Sequence, residues 1–113
     1  MHTVEVSQFG PIDTMGENKD KWRSLSITLE LDFIPQIGAY FTHLWYSEGQ
    51  VREVWHNTSR KQVEHKVVLH DKPAHVAFSP NINWDKLPDN VTAGPIMVPH
   101  PDGGFTTEEI LGR

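Results

Sequence analysis

Residues 25–33 read Leu-Ser-Ile-Thr-Leu-Glu-Leu-Asp-Phe, with apolar and polar positions alternating without a break. Successive side chains of a strand point to opposite faces. Leu25, Ile27, Leu29, Leu31 and Phe33 therefore share one face, and Ser26, Thr28, Glu30 and Asp32 the other. Wound as a helix, the same residues would scatter around the circumference and leave no stripe to bury. The pattern predicts a strand, starting as early as Trp22, with one face on a core and one in water. Burying each apolar side chain stabilises by roughly 1.5–3 kcal/mol. A slip of one residue would expose them all, which pins the register.

The rest of the chain reads in the same way. Residues 2–9 alternate more loosely and predict a first strand that Gly10-Pro11 ends, and the polar residues 10–21 read as a loop. Pro35 and Gly38 turn the chain within residues 34–38. Residues 39–46 predict a strand, 47–50 a hairpin loop and 51–56 the returning strand. After a turn at 57–61, residues 62–70 alternate again, Val63, His65, Val67 and Leu69 opposing Glu64, Lys66 and Val68. A turn at 71–74 precedes a sixth strand at 75–79.

From Pro80 the composition changes. Residues 80–105 hold five of the eight prolines, which argues against regular structure. Yet Ile82, Trp84, Leu87, Ile96, Met97 and Val98 are too apolar for a free linker, so this arm is expected to lie against the body. Thr106 with Glu109 makes a capping-box pattern and predicts a short terminal helix. The chain reads as one domain, an antiparallel β body over 1–79 and a proline-rich arm over 80–113. The expected fold is mostly β, a five- or six-stranded antiparallel meander curling into a small barrel or sandwich.

Composition narrows the function classes. A chain of 113 residues buries a little under about 70% of its unfolded surface, enough for one core without staples. With no cysteine, disulfides and thiolate zinc sites are excluded. The N-terminal residues lack the basic and then apolar run of a signal peptide, and no apolar stretch approaches membrane-spanning length. A soluble cytoplasmic protein without a membrane partner is expected, and the glycosylation patterns at Asn57 and Asn90 then read as chance. A net charge of −5 speaks against nonspecific nucleic-acid binding, which needs a basic face.

Pro35, Gly38 and Tyr40 form a Pro-x-x-Gly-x-aromatic turn, followed by a Val-x-x-Val hairpin at Val51 and Val54. Across residues 25–70 this layout resembles small uncharacterised bacterial and bacteriophage β proteins. The resemblance implies a microbial or viral source and carries no activity with it.

Seven histidines raise the question of a metal. His65, His70 and His75 recur every five residues, an odd separation that puts strand neighbours on opposite faces. His43 and His56 are expected to oppose each other across one hairpin, but two histidines alone make a weak site unless Glu53 or Glu64 joins them. No metal and no cofactor is expected. His100-Pro101-Asp102 copies the tripeptide of J-domain co-chaperones. There it joins two long helices, whereas here prolines and glycines flank it. Glu30 and Asp32 stand about 7 Å apart on one strand face, a spacing a paired-carboxylate site could use, although an exposed face carries such charges for solubility. No serine sits in a nucleophile elbow, and no catalytic residue is assigned.

The aromatic load of residues 40–55 stands out. Tyr40, Leu44 and Tyr46 share one face of their strand, Phe41 and Trp45 the other, and Trp55 lies in the returning arm. Either the proline-rich arm covers the second face, or a partner protein or a second copy of the chain does. Tyrosine and tryptophan are enriched at interface hot spots. The expected function is a non-catalytic protein-binding or accessory module with a surface at Tyr40, Leu44, Tyr46 and Trp55. The alternative is a small-ligand pocket lined by aromatics and histidines, in a sequestering module or a minor enzyme.

Overall fold

The structure, a computed structural model, describes residues 1–43, 48–56 and 64–107. The alternation that begins at Trp22 forms the strand it predicts, β2 (Trp22–Leu31). It pairs antiparallel with β1 (His2–Pro11) along its whole length, from His2↔Leu31 to Pro11↔Trp22. Val4, Val6, Leu25 and Ile27 share the buried face. Two boundaries differ from expectation. Gly10-Pro11 does not end β1, because Pro11 takes the last strand position, where a missing donor is tolerated. Phe33 falls past the end of β2 and is 61% exposed, so it does not extend the core.

On the other side of β1 runs β5 (His65–Leu69), parallel to it with Val6 opposite Val67. Next comes β4 (Glu48–His56), antiparallel to β5, and then β3 (Tyr40–Thr42), antiparallel to β4. Beyond β2 lie β6 (Val91–Ala93) and β7 (Met97–Pro99), with β8 (Phe105–Thr107) paired to β7. The described strands thus number eight, in the order β3-β4-β5-β1-β2-β7-β8 with β6 also on β2. The sheet is mixed and open, not an antiparallel meander of five or six strands closed as a barrel. Residues 32–39 are the cause. They carry the chain from the β2 side across to β3, which sets the β4–β5 pair against the free edge of β1.

The core lies between one sheet face and residues 71–91. The Lys72 N–H donates to the Phe9 carbonyl at 2.9 Å and the Phe78 N–H to that of Pro11 at 3.1 Å. Phe78, Ile82 and Val91 are buried, and Trp84 and Leu87 pack against them. Residues 75–79, expected as a sixth strand, are irregular; they drive Phe78 into the core instead of joining a ladder. The arm from Pro80 is more regular than its prolines suggest, since it supplies β6, β7 and β8. Pro95 falls between strands and Pro99 at a strand end, where no ladder donor is needed. Thr106, the expected helix cap, lies in β8, and Glu109 with the rest of that helix falls outside the described residues.

β4 buries its face by a different device. Val51 and Val54 are three apart, which on a regular strand puts them on opposite faces. The pairing steps from Val51↔Leu69 to Glu53↔Val68, so β4 carries one extra residue there. This bulge returns Val54 to the core face opposite Val67. Gln8 ties the other end of the sheet. It is 2% exposed, and its Nε2 donates to the carbonyls of Glu48 at 2.8 Å and His70 at 3.0 Å. Its Oε1 accepts from the Glu48 N–H at 3.3 Å. One buried amide thereby joins β1 to β4 and to the residue that follows β5. Among the described residues no helix is long and apolar enough to cross a membrane.

Candidate functional site

Among the described residues, two places combine chemistry with access. The first is an open hollow of about 420 Å³ between the end of β2 and β3. Leu29 and Leu31 line it from β2, Phe41 from β3, and Pro35 and Ala39 from the loop between, with His43 at one side. β2 and β3 stand well apart in the strand order, so the sheet bends over its core face here without closing. Residues 71–91 cover the rest of that face. Around the hollow, Phe33 is 61% exposed and Tyr40 66%, and Ile37 in the same loop is 69% exposed. β3 ends the strand order, so among the described residues its outer edge pairs with no strand.

Of the four residues read as a binding surface, the structure describes two. Tyr40 stands at the rim of the hollow, and its hydroxyl donates to Glu48 Oε1 at 3.2 Å. Partial desolvation of the phenol, and then the Glu48 carboxylate, push its pKa above the usual 10.0. Trp55, 61% exposed, lies near the far end of β4 with its indole N–H on Glu53 Oε2 at 3.0 Å. Leu44 and Tyr46 fall outside the described residues. Among the described residues the arm leaves Tyr40 and Trp55 exposed. Its buried residues Ile82 and Val91 pack instead on the stretch of core face that β1, β2 and β5 present, which their alternation commits to apolar contact.

The second place is a row of histidines at one end of the sheet. His56 pairs with His65 across β4 and β5, while His2 opens β1, two residues before Val4, which pairs with His65. The three rings lie on adjacent strands, on the same face as Val54, Val67 and Val4. Rings of His56 and His65 are 5.0 Å apart at 86°, those of His2 and His65 5.4 Å apart at 73°. Nδ1 of His56 and Nδ1 of His65 share a hydrogen bond at 2.8 Å, so one of the two nitrogens presents a lone pair. His65 Nε2 stands 3.8 Å from Glu64 Oε2. His2, Glu64 and His65 each offer a ligand atom within 4.8 Å of the others. The expected meeting of His43 and His56 does not occur. Pairing of residues 40–42 with 48–50 leaves His43 by the Glu48 end of β4, and His56 at the opposite end.

The remaining motifs resolve as local structure. His100-Pro101-Asp102 forms the turn between β7 and β8, where the His100 N–H donates to the Gly104 carbonyl at 2.9 Å and the Asp102 N–H to His100 Nδ1 at 3.0 Å. Gly103 and Gly104 supply the positive φ that this turn requires, 105° and 69°. Glu30 accepts from the Thr3 hydroxyl at 2.7 Å, and Asp32 lies beyond the end of β2, so the two carboxylates do not share a strand face. One aromatic group escaped the sequence reading. Phe9, Trp22 and Phe105 meet on the polar side of the sheet, with centroids 5.2–5.4 Å apart. The pairings Pro11↔Trp22, Trp22↔Met97 and Pro99↔Phe105 bring them together across four strands. The chain matches no protein-family model, no curated protein and no solved structure.

Proposed function

We propose that the chain is a non-catalytic binding module that captures an apolar segment of another protein in the hollow beside β3. The observation that carries this reading is the hollow itself. It is apolar, open, rimmed by exposed Phe33 and Tyr40, and adjacent to an unpaired strand edge. An extended segment laid along that edge gains backbone hydrogen bonds, while an anchoring side chain fills the hollow and gives specificity. Large apolar rims of this kind gain most from a partner that covers them as well as the hollow. The resemblance at Pro35, Gly38, Tyr40, Val51 and Val54 supports a microbial or bacteriophage accessory role, and the acidic, cysteine-free composition supports a soluble protein of the cytoplasm.

A second reading rests on the volume, which falls within the range of small-ligand pockets. In that case the module sequesters an apolar small molecule, with His43 as the polar contact.

Selection from a library of extended peptides, followed by NMR mapping, separates the two. Capture of a protein segment predicts enriched peptides with a large apolar anchor. These shift the amides of residues 40–42 together with the methyls of Leu29 and Leu31, and Phe33→Ser with Tyr40→Ser abolishes binding. Sequestration predicts that a medium-chain fatty acid shifts the methyls alone. Shifts on Tyr40 in the free chain that depend on its concentration would assign the surface to a second copy. Peptides that map elsewhere, or survive the double substitution, would defeat the proposal.

A further inference from the structure

We propose that His2, Glu64 and His65 form a binding site for a divalent transition-metal ion of the zinc type, independent of the hollow. Two imidazoles and one carboxylate suit zinc, cobalt, nickel or iron, and leave coordination positions open for water or an outside ligand. The three donors already lie within 4.8 Å of one another. Bonds of about 2.0–2.2 Å to a common ion draw such donors to about 3–3.5 Å apart. Most of that contraction falls to Glu64, whose side chain is 63% exposed and free to swing.

His65 is the part that does not have to move. Its side chain is only 16% exposed, it sits on the central strand of the three, and the other two rings hold it edge-on from both sides. The contact with His56 supplies an orienting partner. An ion at Nε2 of His65 places the ring proton on Nδ1, from which it donates to Nδ1 of His56 at the 2.8 Å already present. Metal-bound histidines almost always make such a bond from their second nitrogen, and losing it typically weakens binding tenfold or more. His56 is thus a positioning residue, not a ligand.

The placement argues against a chance surface cluster. Each histidine stands two residues outside an apolar core position, His2 before Val4, His56 after Val54 and His65 before Val67. The core face therefore ends on three adjacent strands in imidazole instead of in charged or small polar side chains. An ion there ties the start of β1 to the start of β5.

The test is calorimetric titration of untagged full-length protein with Zn²⁺, repeated with Co²⁺ so that visible absorption reports the ligand field. The expected result is saturable one-to-one binding at micromolar metal, and a rise in melting temperature that chelator reverses. His65→Ala and Glu64→Gln should each lower the affinity by well over tenfold. His56→Phe, which keeps the ring volume but removes the acceptor, should lower it roughly tenfold. The same variant should leave the cobalt spectrum intact at saturation, because the ligands are unchanged. His75→Ala, an exposed histidine outside the row, should change nothing. Circular dichroism of each metal-free variant confirms that its fold is kept. Absence of saturation by millimolar Zn²⁺ would overturn the proposal, as would equal loss from His75→Ala and His65→Ala.

Discussion

The β1–β2 pair and the β4–β5 pair bury the same kind of face by different means. β1 and β2 run ten residues against ten without a break in register, and every second residue of each points to the core. β4 meets β5 with one extra residue between Val51 and Glu53, and only that bulge brings Val51 and Val54 to the same side. The first pair is a period, legible wherever it is written. The second is a period with a phase shift, and a phase shift looks in sequence like a strand that is apolar on both sides.

Removal of single residues should affect the two pairs differently. Deleting Ser26 from β2 turns Leu25 or Ile27 out of the core, and every position beyond it on one side, so loss of cooperative folding is expected in a thermal melt. Deleting Arg52 removes the residue that is already surplus in the ladder and leaves Val51 and Val54 facing inward. That variant should stay folded and lose no more than about 1 kcal/mol. Equal damage from the two deletions would show that the bulge is a required shape and not an accommodated insertion.

The two faces of β2 differ in the same way under substitution. Ile27 is 1% exposed, and Ile27→Asp buries a charge without a partner, at a cost of about 4 kcal/mol or more. Its neighbour Thr28 points to the other face, opposite Glu5, so Thr28→Lys gains an opposite charge across the strands and should stay within about 0.5 kcal/mol of the parent. Denaturant melts measure both. Gln8→Leu has a medium effect. It keeps the volume but strands the Glu48 N–H together with the carbonyls of Glu48 and His70, and should cost about 2–3 kcal/mol.

The smallest effect belongs to the exposed end of β4. The native chain holds the Tyr40 proton above pH 10.0, so this group contributes stability that is lost as pH rises through its folded pKa. Burial of Lys72 acts in the opposite sense, lowering its pKa from 10.5 so that stability rises with pH in the window below that value. Tyrosinate absorbance isolates the first. In a Tyr46→Phe background, Glu48→Gln should bring the Tyr40 titration down towards pH 10, and no change would remove Glu48 as a cause.

Removing the arm tests a larger division of the chain. The composition break at Pro80 separates a β body from an arm expected to lie against it. In the structure Ile82 and Val91 belong to the core and β6 pairs with β2, so truncation at residue 79 should abolish the cooperative thermal melt.

How much was legible depends on the physics of each signal. The strands read at residues 2–9, 25–33 and 62–70 overlap β1, β2 and β5, because a period of two reports a buried face directly. The aromatic rim at Tyr40 was readable as apolar surplus. The histidine row was not, because spacing along one strand says nothing about which strands become neighbours. Only the parallel β1–β5 pairing sets His2 beside His65. One trace was there to find, a histidine two positions outside an apolar core residue in three separate strands.

Alternation and composition alone specify a mostly β chain, the inward face of β1, β2 and β5, and the apolar character of the arm. Those properties are local, fixed by alternation and composition over a few residues. The tertiary structure alone decided the strand order, the parallel pair, the bulge at Arg52, and the choice of residues 71–91 as the cover of the core. Each of these depends on contacts between residues distant in the chain, where many arrangements satisfy the same alternation and only the packing of the whole selects one.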